Sequence, residues 1–183
     1  MITINQLYER ARKHDIQIFE TKTRELRAVS FPGFIFMDCR KFSSMTEYKC
    51  ILAHEIGHCE TGSFYNIYSP FDLRAKCERR ADKRAIEILM PYEEVYLALQ
   101  RGCRNVFSLA KQFEVTEDYA RKAIDLYADR LHGYDEFERL TVPKVKKPLQ
   151  ISGLVMAKDI PQPARTSPEI QQNAWATLEG MEK

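Results

Sequence analysis

The chain has 183 residues, of which 44% are hydrophobic, and this length and content predict one compact domain with at most an appendage. Its 28 basic and 26 acidic residues leave a net charge of +2, which excludes a global electrostatic drive toward DNA or an anionic membrane. No apolar stretch approaches the length of about 18 residues that a membrane-spanning helix needs, so we predict no membrane partner.

The N-terminal part begins with a helical pattern and continues with strand-like patterns. Apolar side chains recur at helical spacing over about residues 3–13. Strand candidates follow at residues 16–19, 26–31 and 34–37. Pro32 and Gly33 form a strong turn signal between the last two strands. We therefore predict a small N-terminal antiparallel sheet, which floors the core and whose edge is available to an extended peptide.

A second helix is predicted over about residues 45–60. Ser44 and Glu47 have the spacing of a capping box, which marks a helix start. Gly62 is typical of the position just past a helix end. Between these signals, apolar residues recur at helical spacing at Tyr48, Ile51, Leu52 and Ile56. Ser44 and Gly62 therefore bracket a helix of about four turns.

This helix carries the most informative motif of the chain, His54-Glu55-x-x-His58. Residues four apart share one face of a helix, so both imidazoles can reach a single metal ion. Glu55 lies about 100° further round, where its carboxylate can contact a water molecule as a general base without ligating the metal. The motif predicts a zinc hydrolase with His54 and His58 as metal ligands. The alternative is a surface helix whose histidines point at solvent.

Two further residues near the motif support the first interpretation. Gly57 costs about 1 kcal/mol relative to alanine in a helix interior, which is reasonable if another segment must approach this helix closely. Tyr65 follows on a predicted loop, from which its phenol can stabilise the oxyanion of a tetrahedral intermediate. The alternative for Tyr65 is simple packing, since the chain contains nine tyrosines.

A third helix is predicted from Pro70 to about Met90. Ser69 and Pro70 are expected at the N-cap and first helical positions, and Pro91 ends the helix. The inward stripe expected from helical spacing comprises Phe71, Ala75, Glu78, Asp82, Ala85 and Leu89. Two carboxylates in the middle of this stripe need partners, because burying them unpaired is costly.

A metal centre would satisfy both carboxylates. A catalytic zinc ion has three protein ligands and one open position, so we predict Glu78 as the third ligand. Asp82 lies one turn further on, where it can accept the N–H of a ligand histidine from the second shell. The alternative is a salt-bridge network with the many basic residues of this helix.

The remaining helical patterns resemble a helix-turn-helix. A helix is predicted from Pro91 to about Arg101, followed by helices over residues 106–113 and 117–131 with a cap at Thr116. Glu117 and Asp118 occupy the leading turn of the last helix, where a DNA-binding module needs basic residues. We therefore predict packing or protein recognition here and regard direct DNA binding as disfavoured.

The last part of the chain and the cysteines carry less information. Five prolines punctuate the sequence after about Gly133, which predicts an extended or partly disordered tail in which Trp175 can dock on the domain or a partner.

The five cysteines are odd in number and form no C-x-x-C pair, so reduced thiols are expected, with Cys59 and Cys77 in the core. The N-terminus lacks the pattern of a signal peptide, which predicts a cytoplasmic protein.

The combined motifs resemble those of the ImmA/IrrE-type metallopeptidases. The resemblance is carried by His54-Glu55-x-x-His58, by Glu78-x-x-Ala81-Asp82 and by Leu89-Met90-Pro91, and it covers about residues 1–130. Together with the element patterns and the composition of the tail, it predicts an α+β fold of three parts. These are a zincin-like metallopeptidase core over 1–102, a helix-turn-helix-like segment packed on the core over 103–133, and the tail over 134–183.

The resemblance also implies an activity, because several members of the family cut or inactivate a helix-turn-helix repressor. We therefore predict a gluzincin-like, Zn²⁺-dependent endopeptidase whose substrate is a repressor-like regulator, encoded by the same phage or mobile element. Two alternatives stay open. One is a binding protein that silences a repressor without cutting it, and the other is a DNA-binding regulator that uses residues 106–131. Nothing in the sequence sets the oligomeric state.

Overall fold

The computed structural model of the protein describes residues 1–23, 25–103 and 105–131, and the predicted tail with Trp175 lies outside these residues. The helices are α1 (Ile4–Lys13), α2 (Met45–Thr61), α3 (Phe71–Leu89), α4 (Tyr92–Gln100), α5 (Val106–Phe113) and α6 (Glu117–Leu131). The strands are β1 (Gln17–Glu20), β2 (Ala28–Phe31) and β3 (Phe34–Met37). The predicted α+β class is confirmed.

The sheet is mixed, with the strand order β1-β3-β2. The β2–β3 hairpin is antiparallel as predicted, and Gly33 makes its turn at a φ of +79°. The strand β1 lies on the far side of β3 and runs parallel to it, with Ile18 opposite Ile35. The expectation of an antiparallel sheet is therefore wrong for β1. Alternating hydrophobicity assigns the two faces of a strand, but it does not say which strand lies beside it.

The two faces of the sheet differ in burial. On the inner face, Ile35 and Met37 of β3 are completely or almost completely buried. On the outer face, Phe19 of β1 stacks on Phe36 of β3 with ring centroids 5.4 Å apart, and both rings are partly exposed. The hydrophobic core therefore lies on one side of the sheet, where the helices pack.

The helix α2 lies at the centre of this core and contacts β2, β3 and α3. It begins where predicted, because Ser44 Oγ accepts the Glu47 N–H at 3.1 Å. The Glu47 carboxylate accepts the Ser43 N–H at 2.8 Å and not that of Ser44, so the reciprocal half of the capping box is shifted by one residue. The helix ends at Gly62, which has the left-handed φ of +60°.

The start of α3 differs from the prediction in two respects. Pro70 is the N-cap residue and no side chain caps the helix, while the Ser69 hydroxyl donates to Asn66 Oδ1. Phe71 is 55% exposed and does not belong to the inward stripe, whereas Ala85 and Leu89 further along are buried. The first turn of α3 lies at the surface, before the helix reaches the core. Helical spacing alone does not show where along a helix the contact with the core begins.

The helices α5 and α6 pack on the core as a pair. Glu114 joins them with a left-handed φ of +50°, at the turn where a glycine is usual. The predicted cap at Thr116 is present, since its hydroxyl accepts the Tyr119 N–H at 3.4 Å. The buried Lys49 of α2 donates to the Phe113 carbonyl at 2.9 Å, which satisfies the end of α5. These contacts tie the helix-turn-helix-like pair to α2.

Candidate metal centre

The helix α2 presents His54 and His58 on one face, as their spacing predicted. Both residues are buried, with 5% and 6% of their surface exposed. Their Nε2 atoms are only 3.1 Å apart, and their rings are nearly perpendicular. The alternative in which the histidines point at solvent is therefore wrong.

The helix α3 brings Glu78 to the same point. One carboxylate oxygen lies 3.4 Å from His54 Nε2, and the other lies 3.3 Å from His58 Nε2. His54, His58 and Glu78 each offer one atom that can bind a metal, and among the described residues these three atoms form a cluster in which all lie within 4.8 Å of one another. The structure thus brings together the three residues predicted as metal ligands.

Gly57 explains why α2 and α3 can approach so closely. A Cβ atom at this position would lie 2.6 Å from the backbone oxygen of Ala81, which is shorter than a van der Waals contact. Only a residue without a side chain allows the two helices to pack at this distance. The close approach inferred from the sequence is confirmed, and its partner is the turn of α3 between Glu78 and Asp82.

Hydrogen bonds at Nδ1 set the orientation of both imidazoles. His54 Nδ1 lies 2.9 Å from Asp82 Oδ1, and His58 Nδ1 lies 2.6 Å from the Ser63 carbonyl oxygen. Both partners are acceptors, so each Nδ1 donates, and each imidazole has its lone pair on Nε2 when it is in the neutral form. In that form, the Nε2 lone pairs of both rings lie close to each other and to Glu78.

The role of Asp82 agrees with its predicted placement, whereas the Ser63 carbonyl was not anticipated from the sequence. Gly62 reverses the chain at the end of α2, which turns the Ser63 backbone toward the His58 side chain, and the Ser63 N–H also donates to the His58 carbonyl at 3.1 Å. A backbone carbonyl carries no residue-type signal. The only available clue was the left-handed glycine four residues after a ligand histidine.

The electrostatics of the cluster favour a positive charge. Burial opposes protonation of His54, but the hydrogen bonds to Asp82 and Glu78 outweigh burial and raise the pKa of His54 to about 10. Burial likewise opposes ionisation of Glu78, but its contacts with His54 and His58 hold its pKa well below the ordinary value. The cluster therefore favours one positive charge beside Glu78, which a proton on His54 supplies in the metal-free chain and which a metal ion can supply in its place.

Asp82 has a second partner that the sequence analysis did not identify. The Nζ atom of Lys122, on α6, donates to Asp82 Oδ2 at 2.7 Å. Burial raises the pKa of Asp82, but the bonds to His54 and Lys122 outweigh burial and lower it. The position of Lys122 in the sequence, 40 residues after Asp82, gave no signal of this contact.

Glu55 is buried beside the cluster, with 5% of its surface exposed. It forms no hydrogen bond or ion pair within the described part of the chain. Its negative charge acts on the cluster, since it contributes to the raised pKa of His54 and of Tyr65. A buried carboxylate without a protein partner is suited to accept a proton from a bound molecule.

Tyr65 also lies at the site. Its hydroxyl donates to Glu78 Oε1 at 2.7 Å, and its ring is 6.3 Å from that of His58. Burial and the neighbouring Glu78 carboxylate raise the pKa of Tyr65 above its ordinary range, so the phenol remains a donor. The structure therefore places Tyr65 in contact with a candidate ligand.

The five cysteines are free thiols. Cys59 and Cys77 do not belong to the cluster of candidate ligands found among the described residues, and their sulfur atoms lie 3.5 and 3.6 Å from the carbonyl oxygens of Phe31 and Phe64. They are therefore packing residues. Among the described helices, none is both long and apolar enough to cross a membrane.

Comparison with known proteins gives one match to a family. The Peptidase_M78 family model, described as the IrrE N-terminal-like domain, matches residues 11–125. The matched range contains α2, α3, and the part of α6 that carries Lys122. A search of curated proteins found no match.

Proposed function

Because the chain belongs to the Peptidase_M78 family of IrrE N-terminal-like domains, we propose that it is a zinc-dependent endopeptidase that cleaves a regulatory protein. The family match confirms the predicted resemblance and makes the chain a member of a peptidase family. The identity of the metal, the catalytic residues and the substrate are our proposal. The observation that carries it is the convergence of the ligand atoms of His54, His58 and Glu78.

The ligand set fits zinc in both chemistry and distance. Two imidazoles and a carboxylate are a common protein ligand set for a catalytic zinc ion. Ligands about 2.0–2.1 Å from a tetrahedral zinc ion lie about 3.3 Å from one another. The separations within the cluster are 3.1, 3.3 and 3.4 Å. When bound, the metal would supply Lewis acidity that activates water and polarises a peptide carbonyl.

The other residues of the site move or hold protons. Glu55 takes a proton from the attacking water and delivers it to the leaving nitrogen of the scissile peptide. Asp82 holds His54 in the tautomer that keeps Nε2 available, and the Ser63 carbonyl does the same for His58. The placement of Glu55 supports this role, since its side chain is buried beside the cluster and forms no hydrogen bond or ion pair within the described residues.

We assign Tyr65 two successive roles. In the described structure its hydroxyl holds Glu78 in place. Once a substrate occupies the site, the same hydroxyl can donate to the carbonyl oxygen of the scissile peptide as negative charge develops there. Its short distance to a ligand residue and its protonated state support this assignment.

The substrate proposal rests on the family resemblance. We propose a helix-turn-helix repressor encoded beside this protein, on the same mobile element. The experiment is to incubate the zinc-loaded chain with the product of the neighbouring repressor-like reading frame, and to identify fragments by mass spectrometry. We expect one defined cut that is abolished by a chelator and restored by zinc.

The matched control is Glu55→Gln, which keeps the size of the side chain and removes the base. We expect it to bind zinc and leave the repressor intact. Full cutting by this variant would remove Glu55 from the mechanism. A stable complex with an intact repressor, unaffected by chelator, would instead identify a non-proteolytic antirepressor. Salt-sensitive and sequence-selective binding to DNA would identify a DNA-binding regulator.

A further inference from the structure

The metal centre is built by α2 and α3, but α6 contributes one charged side chain to it. Asp82 uses its two carboxylate oxygens for two partners, with Oδ1 at 2.9 Å from His54 Nδ1 and Oδ2 at 2.7 Å from Lys122 Nζ. We propose that Lys122 is a positioning residue of the metal centre, which acts through Asp82 on His54. This inference rests on the proposed metal site.

The hydrogen bond from Lys122 limits the rotation of the Asp82 carboxylate. The terminal torsion of an aspartate side chain has a broad and roughly two-fold distribution, so one hydrogen bond leaves the carboxylate plane poorly defined. A second, charge-assisted bond to the other oxygen fixes that plane. The acceptor that orients the His54 ring is therefore itself held in place by Lys122.

Lys122 is itself held in place by the packing of α6 and by a neighbouring ring. The start of α6 contacts α2 directly, because the N–H of Thr116 lies 3.5 Å from the sulfur of Cys50, one turn before His54. Ala120 and Ala123 are fully buried on either side of Lys122 in sequence. The ammonium group of Lys122 also lies 5.3 Å from the centroid of the Tyr119 ring. The helix and the ring thus hold Lys122 next to Asp82.

The ion pair between Lys122 and Asp82 contributes little to the stability of the fold. The Lys122 side chain is 47% exposed and that of Asp82 is 24% exposed, and pairs with this much contact with solvent contribute little to stability. A positive charge close to a cation site is also unfavourable in itself. Both considerations leave the orientation of the Asp82 carboxylate as the effect that Lys122 can supply.

The placement also bears on the helix-turn-helix-like pair. Lys122 is one of the two basic residues in the first half of α6, and its ammonium group is engaged by Asp82. The leading turn of the same helix is acidic, with Glu117 and Asp118. The described contacts therefore make α6 a structural support of the metal centre.

The test measures zinc affinity in the full chain by competition with a fluorescent chelator. Substitutions of residues that hydrogen-bond to a metal ligand weaken metal binding by about 10–100-fold. Lys122 contacts such a residue, Asp82, and not the candidate ligand itself. We expect Lys122→Met to weaken zinc binding by about threefold to tenfold relative to a charge control. Lys122→Arg keeps a donor at this position and should restore the affinity to within about twofold of the parent chain.

The charge control is Arg121→Met. Arg121 has the same 47% side-chain exposure as Lys122, and it lies 3.7 Å from Glu117 Oε2 on its own helix. Its substitution removes one positive charge from the same turn without touching Asp82, so any change in affinity reports the loss of charge alone. Equal zinc affinities for Lys122→Met and Arg121→Met would overturn the inference.

A double-mutant cycle tests whether Lys122 acts through Asp82. In an Asp82→Asn background, we expect Lys122→Met to cause no further loss of zinc affinity. An equal loss in both backgrounds would show that Lys122 does not act through Asp82 and would overturn the inference. Failure of the parent chain to bind stoichiometric zinc would be a different result, because it would overturn the proposed metal centre together with this inference.

Discussion

Glu60 and Glu78 are two buried carboxylates on neighbouring helices, with side chains 4% and 7% exposed. The cations that balance Glu60 belong to the chain, since Arg10 Nε lies at 2.5 Å and Arg84 Nε at 2.7 Å. The contacts of Glu78 include two imidazoles and the Tyr65 phenol. Glu60 is therefore held by two guanidinium groups, while Glu78 lies against two imidazoles that can carry a proton or hold a metal ion.

This difference separates a structural site from a candidate functional one. A buried carboxylate that is paired within the chain links helices, in this case α1, α2 and α3. A buried carboxylate that lies against two imidazoles can hold a metal ion together with them. The two sites lie within the same pair of packed helices, so burial alone does not distinguish them. The presence of metal-ligating side chains beside the carboxylate does.

The largest effect is expected from removing the ligands. Glu78→Gln and His58→Ala should each weaken zinc binding by at least about a hundredfold, because a side chain that binds the metal contributes more than one that only hydrogen-bonds to a ligand. Elemental analysis of the dialysed protein measures the loss. Zinc at unchanged stoichiometry in either variant would contradict the ligand set.

Glu60→Gln should produce the opposite result. We expect the free energy of unfolding to fall by about 2 kcal/mol, because Arg10 and Arg84 lose their common partner but still reach solvent. Zinc stoichiometry should not change. Chemical denaturation with and without chelator measures both quantities. Loss of zinc in this variant would show that the two carboxylate sites are not independent.

The stability that Glu60 contributes to the fold should depend on pH. Burial raises the pKa of Glu60, but the bonds from Arg10 and Arg84 outweigh burial and lower it. A lowered folded-state pKa stabilises the fold above the unfolded value of about 4.3, and this stabilisation is lost as the pH falls through the folded pKa. The difference in stability between the parent chain and Glu60→Gln should therefore be constant near neutral pH and shrink below about pH 4.

Gly57→Ala tests the close packing on which both sites depend. The new Cβ atom would lie 2.6 Å from the Ala81 carbonyl oxygen, so α2 and α3 must move apart. Overpacking costs about 1–3 kcal/mol, while alanine gains about 1 kcal/mol in helix propensity, so we expect a net loss of about 1 kcal/mol. Thermal unfolding and zinc titration should both show a decrease. A more stable variant would contradict the close approach of the helices.

Tyr65→Phe is expected to have a modest effect on metal binding. The phenol contributes one hydrogen bond to Glu78, whose loss costs about 1 kcal/mol, or about fivefold in zinc affinity. Zinc titration against the parent chain measures this change. If Tyr65 also stabilises the oxyanion, the rate of repressor cleavage under zinc saturation should fall by a further tenfold or more. An unchanged rate at saturation would restrict Tyr65 to holding Glu78.

The sequence alone located the side chains that form the candidate metal centre. The helical period placed His54 and His58 on one face of α2, and it placed Glu78 and Asp82 one turn apart on α3. Gly57 indicated a close contact before its partner was known. These predictions succeeded because a helix has a fixed geometry, so local spacing determines which side chains share a face.

Other features appeared only when the elements were packed together. Lys122 contacts Asp82 although 40 residues separate them, and the Ser63 backbone holds His58 without any side-chain signal. The parallel placement of β1 beside β3 and the exposure of Phe71 were likewise not encoded in local patterns. Each depends on which element lies beside which, and long-range packing decides that.

For this protein, the sequence therefore determined the candidate ligand residues, the helices that carry them and the family to which the chain belongs. The tertiary structure decided how the candidate site is supported and which charges surround it. The physical reason is the range of the interactions: helix geometry acts over a few residues, whereas the burial and electrostatic balance of Glu78 arise where separate helices meet.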